Sequence, residues 1–176
     1  MNLKCAEKID GWMKKEELQW IAEKAENCLE IVEVGSYKGR STRAWCDNTR
    51  GTVYAVDPWS GNYYQDNGVI LFPLTMQVFA EFLENTQDCD NLVAFRGTLE
   101  EFAKLFKAKP DLVFIDGDHR YDYVKKDIEI GFELLKPNGI LAGHDYTHID
   151  WPGVRRAVDD SFNNINLMES IWWIQK

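Results

Sequence analysis

The sequence predicts an α/β fold: a mainly parallel, doubly wound sheet of seven strands that ends in a C-terminal antiparallel hairpin. Three observations predict it. Short apolar, β-branched runs alternate with amphipathic stretches of helical period, the pattern of strands joined by crossover helices. Several of those runs are apolar almost without interruption, as strands covered on both faces are. The last twelve residues, INLMES and IWWIQK, read as two adjacent strands with no helix between them.

The elements follow in order. Residues 11–28 read as an amphipathic helix: Leu18, Ile21, Ala22, Ala25 and Cys28 recur at helical spacing, lysines and glutamates fill the other face, and Asp10 with Gly11 supplies a start. CLEIVEVG (28–35) is a buried strand closed by glycine, and SYKGRSTRAWCDN turns into a helix. TVYAVDP (52–58) and NLVAF (91–95) are the second and third strands. Thr98 and Glu101 form a T-x-x-E capping box for the helix EEFAKLF. DLVFIDGDH (111–119) is the fourth strand, apolar until it meets acids. Val124, Ile128, Phe132 and Leu135 mark the buried face of the next helix, which PNG (137–139) stops. GILAGHDY (139–146) is the fifth strand and GVRRAVDDSF (153–162) a short helix before the hairpin. Residues 59–90 break the alternation with a loop, WSGNYYQDNG, and one inserted helix in PLTMQVFAEFLENT. That insert reads as a lid near the ligand edge, with a plain surface excursion as the alternative.

The chain has 176 residues, 20 Lys+Arg against 29 Asp+Glu, a net charge of −9, 45% hydrophobic and 28% charged residues. That is one globular domain over residues 1–176, led by a helix within residues 1–28, with too much apolar content for a disordered chain. The acid excess argues against a nucleic-acid partner, since duplex binding rests on Lys and Arg, and suits cationic ligands and divalent metals. No run of about 18 apolar residues predicts a membrane span. MNLKCAEKIDGWMKKEELQW lacks the apolar core of a signal peptide. Cys5, Cys28, Cys46 and Cys89 make no C-x-x-C, so reduced thiols in a cytoplasmic protein are expected rather than a zinc cluster or disulfides. The apolar IWWIQK terminus and the N-terminal helix leave a homo-oligomer open.

In sheets of this kind ligands sit beyond the carboxyl ends of the strands. Those ends are Glu33-Val34-Gly35, Asp57-Pro58, Arg96-Gly97-Thr98, Asp116-Gly117-Asp118-His119 and His144-Asp145. Four of the five carry acid, and carboxylates gathered at one edge repel one another. Glu33-x-Gly35-x-x-x-Gly39-x-Ser41 follows the first strand. Its spacing is not G-x-G-x-x-G, and no G-x-x-x-x-G-K-[ST] is present, so dinucleotide and Walker fingerprints both fail. Glu33 would repel a phosphate there and attract an amine. Asp57 lies where an acid accepts from a ribose diol, with a simple turn before Pro58 as the alternative. Asp116 ends an apolar strand and faces the crevice, His119 is a candidate general base, and Asp118 a candidate helix cap. His144-Asp145 ends the neighbouring strand, so Asp116 and Asp145 can share a site. Oxygen ligands suit Mg²⁺, Mn²⁺ or Ca²⁺, and a histidine among them shifts the preference toward Mn, Fe or Zn. Trp59, Tyr63, Tyr64 and Trp151 are candidates for stacking on a flat ligand. Trp12, Trp20, Trp45, Trp172 and Trp173 lie on helix or strand patterns and read as core or interface.

Together, IVEVGSYKGRST, VYAVDPW, FRGTLEE, LVFIDGDHRYDYVKKDI and LLKPNGILAGHDY resemble the class I S-adenosylmethionine-dependent methyltransferases, of the macrocin and catechol O-methyltransferase type. The resemblance spans residues 29–176, in family order and spacing. It implies a Rossmann-like fold and transfer of a methyl group from S-adenosyl-L-methionine to a small hydroxylated molecule. It implies that Glu33, Gly35, Ser36, Tyr37, Gly39 and Ser41 hold the methionine part of the cofactor. Asp57 would hold the ribose, with Trp59 beside it, and Thr98 would border the adenine. Asp116 and His119 would border both the cofactor and the reacting hydroxyl, His119 as the base. Asp116, His144 and Asp145 would hold Mg or Mn. The chain departs from the family at two places: His144-Asp145 replaces Asp-Asn or Asp-Asp, and His119 replaces a lysine. A metal-free enzyme with His119 as base therefore stands beside the metal-assisted one. An NAD(P)-dependent oxidoreductase and a non-catalytic cofactor-binding relative are the other readings; the missing G-x-G-x-x-G counts against the first.

Overall fold

Successive residues of the central strands bury themselves on opposite faces. Ile31, Leu112, Phe114 and Ala142 enter one apolar core with Trp20, Ile21 and Trp45. Their neighbours Val32, Val113, Ile115 and Leu141 enter a second core with Leu99, Val124 and Ile128. Period-two side chains on a strand apolar at every position require helices on both faces of the sheet. The structure, a computed structural model, describes residues 1–60, 62–64, 69–72, 76–107 and 109–176.

A short 3-10 turn at Ala6–Lys8 precedes α1 (Lys15–Ala25), β1 (Glu30–Val34), α2 (Arg40–Asn48) and β2 (Thr52–Asp57). Next come β3 (Asn62–Tyr64), β4 (Val69–Phe72), α3 (Met76–Thr86), β5 (Leu92–Arg96) and α4 (Leu99–Leu105). The chain closes with β6 (Leu112–Ile115), α5 (Tyr121–Leu134), β7 (Ile140–Gly143), α6 (Pro152–Asp159), β8 (Asn166–Met168) and β9 (Ile171–Gln175). One seven-stranded sheet runs β5-β2-β1-β6-β7-β9-β8, and β3 pairs with β4 apart from it. The pairs from β5 to β7 are parallel, whereas β9 is antiparallel to both β7 and β8. The predicted α/β class, strand number and C-terminal hairpin are therefore the observed ones. Chain order reverses between β1 and β6, which places the ligand crevice at their carboxyl ends.

Several local expectations are corrected. α1 starts at Lys15, because Met13 is drawn into the core and Glu17 accepts the Lys14 backbone N–H at 2.7 Å. Residues 11–14 are left as an irregular segment, bent at Gly11 and Trp12, rather than a helical turn. Asp118 does not cap α5: Arg120 occupies the cap position, and Asp118 instead accepts the Arg120 backbone N–H and grips its guanidinium at 2.6–3.1 Å. Phe132 is 36% exposed, and Gly131 takes the inner position, where a Cβ would press on Leu141 and Val113. Ile171, Trp172 and Ile174 are buried within the chain's own core. In the insert, α3 lies within the expected helix, and β3 and β4 appear where a loop was expected. The lid reading falls partly outside the described residues. Among the described residues no helix is long and apolar enough to cross a membrane.

The β1 end is the tightest point of the fold. Gly35 has φ +85°, and a Cβ there would lie 2.1 Å from the Asp116 carbonyl oxygen. Gly35→Ala should cost about 3 kcal/mol in urea unfolding, from left-handed strain plus overpacking. Gly11→Ala should cost clearly less, because its Cβ would meet only the Arg40 side chain, at 3.0 Å. Equal costs would show that the β1 end relaxes freely.

Candidate active site

The five strand ends open into one cleft of about 1110 Å³. Gly35, Ser36, Tyr37 and Ser41 form its wall after β1, Asp57 and Pro58 after β2, Gly97, Thr98 and Leu99 after β5. Asp116 to Arg120 follow β6, and His144 and Asp145 follow β7. The facing wall is Gly11 to Lys14, Glu17, residues 147–151 and Ser170.

The glycine loop is held from behind by two buried acids. Asp57 Oδ2 accepts the backbone N–H groups of Ser36 (2.8 Å) and Tyr37 (3.0 Å), and Oδ1 accepts that of Trp59 (2.6 Å). Burial pushes the Asp57 carboxyl upward, and these three donors work against the shift. Glu33 is fully buried and accepts the hydroxyls of Ser36 (2.7 Å) and Thr42; burial raises it too, and its Oε1 has no partner. Gly39, at φ +90°, starts α2, and a Cβ there would press on Thr86 and Phe82. Trp59 is 1% exposed; its Nε1 donates to the Tyr37 carbonyl (2.8 Å) and its ring packs on Phe79 and Phe82. Glu33, Gly39 and Trp59 thus stand behind the cleft wall and shape the loop. Thr98 lines the cleft and forms the expected capping box with Glu101.

At the β6 and β7 ends, acids and imidazoles converge. Donor atoms of Asp116, His144 and Asp145 all lie within 4.8 Å of one another. His144 Nδ1 is 3.3 Å from Asp145 Oδ1 and 3.7 Å from Asp116 Oδ1. Its Nε2 lies 3.1 Å from Glu17 Oε1, an ion-pair contact short of hydrogen-bond alignment. His119 Nε2 bonds Asp145 Oδ2 at 2.8 Å, its Nδ1 is buried without a partner, and Trp151 stacks on its ring at 4.3 Å. Burial raises Asp116. Burial disfavours charge on His144 as well, but the surrounding carboxylates outweigh it and raise His144. Burial opposes ionisation of Asp145, yet His119 and His144 hold it well below the usual carboxylate range.

Two cleft residues escaped the sequence reading. Trp12, assigned to core or interface, is 66% exposed at the cleft, with its ring 4.8 Å from that of Tyr37. Glu17 looked like one of several solvated glutamates on α1 but is 1% exposed. Its one sequence signal is its place a turn before Ile21, at the margin of the apolar stripe. Tyr63 and Tyr64 lie among residues whose side chains are not described.

A methyltransferase-domain family model matches residues 32–146, more than half of the chain. Solved structures share the fold at low identity. The S-adenosylhomocysteine-bound Podospora anserina methyltransferase is 19% identical, with a TM-score of 0.64 over 92% of this chain and 78% of its own. An O-methyltransferase from Bacillus cereus in complex with S-adenosylhomocysteine is 13% identical, with a TM-score of 0.67 over 99% and 87%. The O-methyltransferase TomG from Streptomyces achromogenes, in complex with S-adenosylmethionine, is 10% identical, with a TM-score of 0.65 over 92% and 79%. The likeness to these three is one of fold; the family model carries the assignment, and it agrees with the motifs: this chain belongs to the methyltransferase-domain family.

Proposed function

We propose that the chain is a cytoplasmic S-adenosylmethionine-dependent O-methyltransferase for a small hydroxylated molecule, with a divalent ion on Asp116, His144 and Asp145. The observation that carries the reading is the single cleft shared by all five strand ends, with bare glycine backbone on one side and the acid–imidazole cluster on the other. The cofactor fits this lining. It bears a sulfonium and an ammonium charge and no phosphate. Asp57, Asp116, Asp118 and Asp127 line the cleft, and the Arg120 guanidinium is already bound to Asp118. The metal fits as well, since two carboxylates and an imidazole form one N,O,O donor set.

In this reading Gly35 to Tyr37 and Ser41 hold the methionine part, Asp57 and Thr98 the nucleoside, and Glu33, Gly39 and Trp59 keep the loop in shape. When bound, the cofactor supplies an electrophilic methyl group, and the ion lowers the pKa of a neighbouring hydroxyl. His119 is the base of this reading: with Nδ1 shut away, the nitrogen that can reach the acceptor is Nε2, and it takes the hydroxyl proton only once its bond to the Asp145 carboxylate is given up. Asp145 orients that imidazole, and Trp151 fixes the ring plane. Trp12, Ile149 and Trp151 border the cleft and supply apolar surface for the acceptor and against water.

Two measurements test this. S-adenosylmethionine at about 100 times its Kd should stabilise the protein by about 2.7 kcal/mol in a melting assay, and NAD(P) should not. The reverse pattern would favour the oxidoreductase. Release of S-adenosylhomocysteine against a panel of hydroxylated acceptors should fall by about 10²–10⁴ in kcat for His119→Ala, and should cease in EDTA until Mn²⁺ or Mg²⁺ is added. Full activity in EDTA would establish the metal-free route, and binding without turnover the non-catalytic one.

A further inference from the structure

Glu17 is a buried carboxylate outside the residues that the family model matches. Its Oε2 accepts the Lys14 backbone N–H (2.7 Å) and its Oε1 that of Ser170 (3.2 Å). The Lys14 ammonium is turned away to Glu169 at 2.8 Å. The cationic side chain that meets Glu17 is His144, 3.1 Å away at Nε2. Capping α1 needs an acceptor at the helix start, not a carboxylate removed from water, and such burial is costly unless the charge is paired.

The other imidazole nitrogen explains the arrangement. Nδ1 faces oxygens of Asp145 and Asp116 at 3.3 and 3.7 Å, and ionised carboxylates only accept. Nδ1 can face these oxygens as a proton donor on a charged ring or with its lone pair on a cation among the three, and the metal reading takes the second. Donors about 2.0–2.2 Å from one ion, at roughly 100–120° to each other, are separated by about 3.1–3.8 Å, the range in which both carboxylate distances from Nδ1 fall. A carboxylate 3.1 Å from the distal nitrogen favours the proton there by its charge, and a hydrogen bond from that nitrogen on metal binding would make the ring a stronger donor.

We infer that Glu17 is the positioning residue of the metal centre: it keeps the His144 proton on Nε2, aims Nδ1 at Asp116 and Asp145, and so makes the site prefer a first-row transition ion to Mg²⁺. The inference rests on the metal reading above. It makes α1 part of the centre.

The test uses the full chain without acceptor. Co²⁺ is titrated by its visible absorption, with Mg²⁺ as competitor, and the melting shift with S-adenosylmethionine reports an intact fold. Wild-type protein should bind Co²⁺ at least about 10-fold more tightly than Mg²⁺. Glu17→Gln should weaken Co²⁺ by about 10–100-fold with the melting shift retained, and should add little in a His144→Asn background. If Glu17→Gln fails to fold, Glu17→Asp, one methylene short of Nε2, takes its place with the same expectation. No binding of either ion by wild type would overturn the metal reading and this inference together. Tight Co²⁺ binding that neither Glu17 variant changes would overturn this inference alone and leave Glu17 as a helix cap. An unchanged Co²⁺/Mg²⁺ ratio in His144→Asn would overturn the selectivity.

Discussion

β1 and β6 end so close together that a single methyl group would not fit between them. The contact of Gly35 with the Asp116 carbonyl fixes this, and the parallel register of Val34 with Ile115 leads into it. The glycine loop and the acid cluster therefore share one rigid hinge of backbone. Asp57 then draws the loop down from the β2 side through two of its amides, and Glu33 holds it from beneath through two hydroxyls. In the proposed reading, a cofactor lying along the loop has its reactive end beside Asp116, at the end of the strand paired with β1. Precision in methyl transfer is largely alignment, and alignment here is inherited from the sheet.

The acid cluster is an electrostatic problem that the chain itself only partly solves. Glu17, Asp116 and Asp145 surround one imidazole, and a second imidazole meets Asp145 from the other side. The responses differ within a few ångströms: Asp116 is pushed toward its neutral form, Asp145 is held ionised, and His144 is held charged. Groups whose environments drive them apart in this way mark places where charge changes hands. The backbone joins in, because Asp145 sits at φ +61°, a conformation that costs a non-glycine residue about 1–2 kcal/mol. It is retained where it places one carboxylate between both histidines.

Much of this was legible in the sequence because it depends on period and position. Short uninterrupted apolar runs such as LVFI and ILAG, bounded by turn residues, fit strands covered on both faces, and the strand-end rule collects Asp57, Asp116, His144 and Asp145 at one edge. Side-chain direction was not legible. Trp59 follows a strand end and looks like a stacking residue, yet the Asp57 bond to its own amide turns it into the core. Glu33 looks like a cleft acid and is sealed behind the loop by hydroxyls from Ser36 and Thr42. The start of α1 was misplaced because Asp10 is a good cap by type, whereas the winning interaction came from Glu17 reaching back from within the helix.

That last error bears on how the site is built. Had the helix begun at Asp10, residues 11–14 would have wound into α1 instead of lining the cleft as an irregular segment. One carboxylate decides the matter: Glu17 ends the helix at Lys14 through one oxygen and reaches Ser170 and His144 through the other. The same side chain thus releases Gly11 to Lys14 to form a wall, ties α1 to the β8–β9 turn, and meets the imidazole at the end of β7. A helix that looks like a lead-in to the sheet is coupled to its chemistry by a charge that would otherwise be too costly to bury. The net acidity of the chain therefore has distinct parts: solvated surface, Glu33 and Asp57 buried against hydroxyl and backbone donors, and Glu17 and Asp145 buried beside imidazoles.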